Sequence, residues 1–216
     1  MSIKQNRSNA TRERILAAAA LVLTRKGYAG TRLVDIAELA QLRAPAVYYY
    51  FESRDELVAE VMVVGQQRLR DHVSAALDAL PPETPALERI CTAIEAHLRV
   101  ELELSDFATA VSRNSGQVPP DIRTELARES AEYHALWRSL LSEAQDDGVI
   151  RPDVDLRAAR MLIIGALNWA PEWWNSSRGS VDSVVATAQS MIRHGLDAAP
   201  TLVSLIDRRS RCLESK

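Results

Sequence analysis

The chain has 216 residues, 47% of them hydrophobic and 25% charged, with two cysteines and a formal net charge of −3. This length buries a full core without disulfides or metals as staples, and the composition excludes a disordered or collagen-like chain. Cys91 and Cys212 form no disulfide framework and point to a reducing compartment, while the longest apolar run, Ile15 to Leu23, is too short for a bilayer. The opening MSIKQNRSNATRERI has no apolar segment before a cleavage site and does not read as a secretory signal. The expectation is a soluble, cytoplasmic protein with no membrane partner.

The net charge conceals an asymmetry. Residues 1–51 carry eight Lys/Arg against three acids, a net of +5, and residues 52–216 carry a net of −8. A basic module of about fifty residues joined to a larger acidic body is the pattern of a nucleic-acid reader carried by something else.

Helical periodicity runs through almost the whole chain, and no stretch shows sustained strand alternation. Helices are predicted over 9–26, 32–39, 43–49, 54–79, 84–104, 106–114, 120–146, 155–176 and 181–198, so the fold class is all-α. Gly27 and Gly30 bracket the first turn, Pro81, Pro82 and Pro85 stop the fourth helix, and Gly148 and Pro152 separate two later ones. Ser53 and Glu56 read as a capping box. Pro171 should kink or end the helix that contains it. The domains implied are a helix-turn-helix domain over 1–52, a helical bundle over 53–198 and a tail over 199–216.

Residues 31–51 carry the chemistry. Two short helices are joined by a tight turn around Gln41 and Leu42; Ile36, Ala37, Leu42 and Val47 face a small shared core, and Ala40 is small where the backbones approach. This is helix-turn-helix grammar, in which the second helix enters a major groove about 12 Å wide.

From Thr11 to Leu57 the chain shows T-R-x-x-I-L, G-Y-x-G-T, D-I-A, P-A-V-Y-Y-Y-F and S-x-x-E-L. Together these resemble the N-terminal domain of the TetR family of transcriptional regulators. The resemblance implies an all-helical homodimer on a palindromic double-stranded DNA operator, usually a repressor released by a small ligand. Gln41 and Arg43 depart from the family's usual Gly and small capping residue. By the same resemblance Tyr49 and Tyr50 lean on phosphates and Tyr48 is partly structural. Arg43 opens the recognition helix and reaches either a guanine edge or a phosphate; Ala44 and Pro45 suit a thymine methyl. Thr31, Arg32 and Arg54, at helix starts, suit phosphates. Lys4, Arg7 and Arg12 read as a basic arm or as a solvated charge run. The alternatives to a ligand-released repressor are an activator, a ligand-independent regulator and an adaptor that no longer binds DNA.

In the acidic body, the faces of the last two helices (Leu162, Ala166, Ala188, Met191) are by resemblance a dimer interface; by periodicity alone they are equally a monomer core. Phe107, Tyr133, Trp137, Met161, Trp169 and Trp173 read as the wall of an apolar pocket or as plain core, with Arg113, Arg138 and Arg178 as partners for an acidic ligand group. The stretch from Asp147, followed by N-W-A-P-E-W-W, is loosely similar to TetR-family members that control lipid or steroid catabolism. It implies an acyl-CoA or another apolar ligand with an acidic group.

Catalytic constellations are missing from this reading. His97 and Glu101, at i and i+4, read as a surface pair rather than metal ligands, because no third ligand follows at matching spacing. With no glycine-rich phosphate loop and no cysteine at metal spacing, the expectation is no enzyme, no cofactor and no metal.

Overall fold

The computed structural model describes residues 3–177 and 179–198, with side chains from residue 7 onward. Lys4's side chain, Arg178, Cys212 and the predicted tail therefore lie outside the described residues. Among the described residues nine α-helices follow one another in chain order: α1 Ile3–Gly30, α2 Leu33–Leu39, α3 Ala44–Val47, α4 Arg54–Asp78, α5 Ala86–Arg99, α6 Asp106–Asn114, α7 Pro120–Asp146, α8 Leu156–Trp173 and α9 Val181–Leu196. A π-helical segment, Val100–Leu104, joins α5 to α6. The fold is all-α, as the periodicity predicts.

Local chemistry sets the boundaries. Ser53 Oγ accepts from the Glu56 N–H at 3.0 Å and starts α4. Ser105, Asp155 and Ser180 do the same for α6, α8 and α9 by accepting first-turn N–H groups. α1 breaks at Gly27, whose φ of 67° is the left-handed value that favours glycine. The N–H freed there, on Tyr28, donates to Asn114 Oδ1 at 2.8 Å. Two helical predictions need correction. The segment read as residues 84–104 widens into a π turn at its end, and the helix read from residue 9 already runs from Ile3, so Lys4 and Arg7 of the basic arm belong to α1 with Arg12.

Two cores result. The first gathers Ile15, Leu16, Leu23, Ile36, Val47, Phe51 and the N-terminal half of α4, together with Phe107, Ala110 and Ile122. The second gathers the far end of α4 with α5, the C-terminal half of α7, α8 and α9, around Trp137, Tyr133, Ile94 and Leu98. α4 and α6 thus belong to both ends of the molecule. They also touch closely: a Cβ at Gly65 would lie 2.5 Å from the Phe107 carbonyl oxygen, so only glycine lets these backbones meet.

Candidate functional site

The helix-turn-helix is built as its grammar requires. Leu42 N–H donates to the Ala37 carbonyl at 2.8 Å and closes the turn, and Gln41 holds a φ of 56° there. A non-glycine residue in that region is strained by about 1 kcal/mol or more; Gln41 is exposed, so its side chain meets no obstacle. α3 begins at Ala44 with Pro45 in its first turn, where a missing N–H costs nothing. Val47 and Phe51 are buried beneath it, Tyr50 is half-buried against the same core, and Tyr48 and Tyr49 are 57% and 82% exposed.

The outward chemistry of this end is cationic and aromatic. Arg32 and Arg43 are exposed and make no ion pair among the described residues. Other expected contacts are already engaged. Thr31 is buried, its hydroxyl donating to the Gly27 carbonyl at 2.7 Å. Arg54 pairs with Asp55 at 2.8 Å and lies over the Tyr28 ring, while Tyr28 Oη donates to Asp55. Arg12 pairs with Glu60 and stacks on Phe51. Arg43 and Arg32 therefore stand out as free cations beside the recognition helix.

At the other end, a polar cluster sits inside the second core. His97 is fully buried on α5, and its Nδ1 shares a 2.7 Å hydrogen bond with Tyr133 Oη. Glu101, in the π segment, is 4% exposed; its Oε1 accepts from Ser112 Oγ of α6 at 2.7 Å and lies 3.9 Å from His97 Nε2. The surface pair expected at these positions is thus a buried one. Burial drives the His97 ring down to about 4, against a smaller upward push from Asn168 of α8. Burial likewise lifts the Glu101 carboxyl to about 7, opposed by the Ser112 hydrogen bond and the Arg113 charge. Asn168 is the side-chain partner on the other side of the His97 ring, Trp137 Nε1 faces the Tyr133 hydroxyl, and among the described residues Glu101 Oε2 is buried with no hydrogen-bond partner.

α6 carries this cluster to the basic end. The residues after Ser112 clasp α1: Asn114 Nδ2 donates to the Leu23 carbonyl, and Arg113 donates to Glu172 Oε1 at 2.7 Å, the Pro171 carbonyl at 2.8 Å and the Thr24 carbonyl at 3.4 Å. These groups rim a polar cleft of about 490 Å³ between α1, α6 and α8. On the outside, α8 and α9 form an open apolar groove of about 960 Å³ whose walls include Leu162, Ala166, Trp173, Ala188 and Met191. Leu162 and Met191 are more than 70% exposed.

Comparison with known proteins agrees at both ends. Residues 15–61 match "Bacterial regulatory proteins, tetR family", and residues 83–196 match "Tetracyclin repressor-like, C-terminal domain". The chain belongs to the TetR family of transcriptional regulators. This TetR-family regulator is 26% identical to the HTH-type transcriptional repressor KstR2 of Rhodococcus jostii, over 86% of its own length and 90% of that protein. Its fold matches that of AibR, solved with isovaleryl coenzyme A and operator DNA, at a TM-score of 0.76 and 18% identity, covering 87% and 98% of the two chains. It also matches FadR of Bacillus subtilis, solved with stearoyl-CoA, at 0.72 and 18%, covering 85% and 98%. The regulator is a DNA-binding protein of a ligand-responsive family, not an enzyme. No helix among its described residues is long and apolar enough to cross a membrane.

The residues expected to line one ligand pocket are not brought together in the regulator. Tyr133 and Trp137 are buried in the second core. Phe107 belongs to the first, with the Arg68 guanidinium 4.1 Å above its ring. Met161, Trp169 and Trp173 lie on the outer face of α8, 51%, 63% and 43% exposed. Arg138 is exposed on α7, and Arg113 is held by Glu172. Sequence reasoning missed His97, Glu101, Ser112 and Asn168. A signal existed for the first two, because Ile90, Ile94, His97 and Glu101 recur at helical spacing and share the face of two core isoleucines.

Proposed function

We propose that this regulator is a homodimeric repressor that leaves a palindromic operator when an apolar ligand, of acyl-thioester type, enters the second core. The observation that carries the DNA half is the pair of exposed, unpaired arginines flanking the helix-turn-helix, on a segment of net charge +5. The dimer half rests on the apolar faces of α8 and α9, where Gly165 and Gly195 meet nothing within 4 Å in the single chain. Such faces suit a two-fold packing in which each copy presents the same patch to the other. Support for repression comes from KstR2, and support for an acyl-CoA effector from AibR and FadR.

The mechanism follows from α6. Entry of a ligand beside Glu101 alters its bond to Ser112, and Ser112 adjoins the Arg113 and Asn114 contacts that hold α1. A shift of α6 by a few ångströms then rotates the recognition helices of a dimer away from the roughly 34 Å spacing of consecutive major grooves. The domains proposed are a DNA-reading unit over 1–52 and an effector and dimerisation unit over 53–198, with α4 shared between their cores.

Arg43 and Arg32 have different roles. Arg43 reads a base edge and Arg32 fixes position on the phosphates, with Tyr48, Tyr49 and Tyr50 supporting the backbone contact. Arg43→Ala is expected to remove about 1–3 kcal/mol of discrimination at one position of each half-site, whereas Arg32→Ala weakens all sequences alike and lowers the salt slope by about 1. Competition titrations against a library of single-base operator variants separate the two. Equal losses on every sequence for both variants contradict this division.

A further inference from the structure

Among the described residues Glu101 is the only buried carboxyl group, and no lysine or arginine is buried to neutralise it. Its Oε1 accepts from Ser112 Oγ, and its Oε2 has no hydrogen-bond partner. Thr109, one turn earlier on α6, donates to the Glu101 carbonyl at 3.1 Å, so backbone and side chain of Glu101 both hold α6. The π turn that places Glu101 here is of a kind that recurs at functional sites.

α6 passes the contact on. Arg113, next to Ser112, donates to Glu172 Oε1 and the Pro171 carbonyl on α8 and to the Thr24 carbonyl on α1. Asn114 is fully buried, accepts the Tyr28 N–H at the break in α1 and donates to the Leu23 carbonyl. Three consecutive residues thus touch the buried carboxyl and hold the first helix of the basic end.

Two carboxylates bear on one guanidinium. Glu172 holds Arg113 at the surface, while the charge of Arg113 favours the ionised form of Glu101. The other groups facing Glu101 are His97 on α5, 3.9 Å away, and the Tyr133 hydroxyl on α7; α8 adds the neutral Asn168, on the far side of the His97 ring. Burial keeps His97 neutral, so Arg113 is the cation of this group. A buried carboxylate with no counter-charge is costly, and drawing Arg113 inward relieves it.

We propose that the proton on Glu101 is itself an effector: the neutral carboxyl leaves Arg113 in its clasp on α1 and α8, and the ionised one pulls Arg113 inward, frees α1 and weakens the hold on the operator. This goes beyond the organic ligand proposed above and rests on the same coupling through α6. Burial lifts the Glu101 carboxyl to about 7, so the change falls at neutral pH, with affinity lost as pH rises. The chain has no histidine before His72, so no side chain of the DNA-reading unit ordinarily titrates between pH 6 and pH 8.

Anisotropy titrations of the full chain with a labelled genomic fragment that it protects in a footprint, at pH 6 and pH 8 and constant salt, test this. The native chain is expected to bind about tenfold more weakly at pH 8, the change that one carboxyl ionising near 7 gives over that interval. Glu101→Gln is expected to bind equally at both values. Glu172→Gln leaves Arg113 freer to turn inward, so its affinity is expected to fall at lower pH than in the native chain. Hydrogen exchange of residues 23–28 without DNA, corrected for intrinsic rates, reads the clasp by itself. Native protection is expected to fall at pH 8 and that of Glu101→Gln to persist. A measurable native affinity that does not change with pH, a change that Glu101→Gln retains, or protection that is the same at both values overturns the proposal. Protection lost at pH 8 in a chain that binds no fragment supports the release of α1 and counts against the operator reading.

Discussion

Leu162→Glu is expected to convert the regulator into a folded monomer whose operator affinity falls at least a hundredfold. Leu162 is 74% exposed in the single chain, so a charge there is solvated and α8 keeps its inward contacts through Ile163, Ile164 and Leu167. In the proposed dimer the same position meets its copy across the two-fold axis, and two carboxylates become buried together without a counter-charge. Separating the subunits removes the second half-site contact. Joining two sites through a stable dimer strengthens binding by about 10² to 10⁴ when the geometry fits, and that factor is lost. Sedimentation equilibrium reports the mass, circular dichroism the retained helix and a mobility-shift titration the affinity. A Leu162→Glu protein that stays dimeric and binds like the native chain moves the interface away from α8 and α9.

A second large effect concerns pH. Glu101 titrates near 7 in the folded chain because of burial, against 4.5 ordinarily, so between these values the native state keeps a proton that the unfolded chain has released. Stability is therefore lost as pH rises through this window, with the full penalty present above pH 7. His97 acts in the opposite sense. Its folded value of about 4 lies below the ordinary 6.5, so stability is lost as pH falls from 6.5 toward 4. The groups facing Glu101 are His97 on α5, Ser112 and Arg113 on α6, and Tyr133 on α7, whose own hydroxyl is raised chiefly by burial, against a hydrogen bond from Trp137 and with a smaller upward push from Glu101.

Glu101→Gln keeps the acceptor for Ser112 and removes the ionisation. The variant is expected to match the native chain near pH 4.5 and to exceed it increasingly up to pH 8, by about 3 kcal/mol at the most for a shift of this size. The two contributions nearly cancel between pH 4.5 and 6.5 in the native chain, and the variant should expose the acid-side loss due to His97. Urea titrations across this range measure it. A difference between native and variant that does not change with pH contradicts the buried, proton-holding carboxyl.

The two ends of the molecule were not equally legible in the sequence. The helix-turn-helix is local: its turn, cap and core positions lie within about fifty consecutive residues, and Gln41 takes up the left-handed turn that its neighbours demand. The proposed effector end is assembled from α5, the π segment, α6, α7 and α8, whose side chains meet only in the fold. α8 shows why periodicity falls short. Its inner face carries Ile163, Leu167 and Ala170, and its outer face carries Leu162, Ala166, Trp169 and Trp173. Both are apolar, so there is no contrast to say which face points in, and the tryptophans read as pocket wall lie on the outside. His97 and Glu101 mislead for the opposite reason, since two polar residues one helical turn apart resemble a solvated pair although His97 stands in the isoleucine stripe of α5 and Glu101 continues it into the π segment.

A footprint of the full chain on genomic fragments of its own organism, repeated over a range of salt, tests whether the regulator reads an operator through its basic end. A protected site with two half-sites about one helical turn apart is expected. The affinity should also fall with salt by a log–log slope of about 0.9 for each phosphate neutralised. Protection that ignores sequence, or a slope near zero, would contradict it.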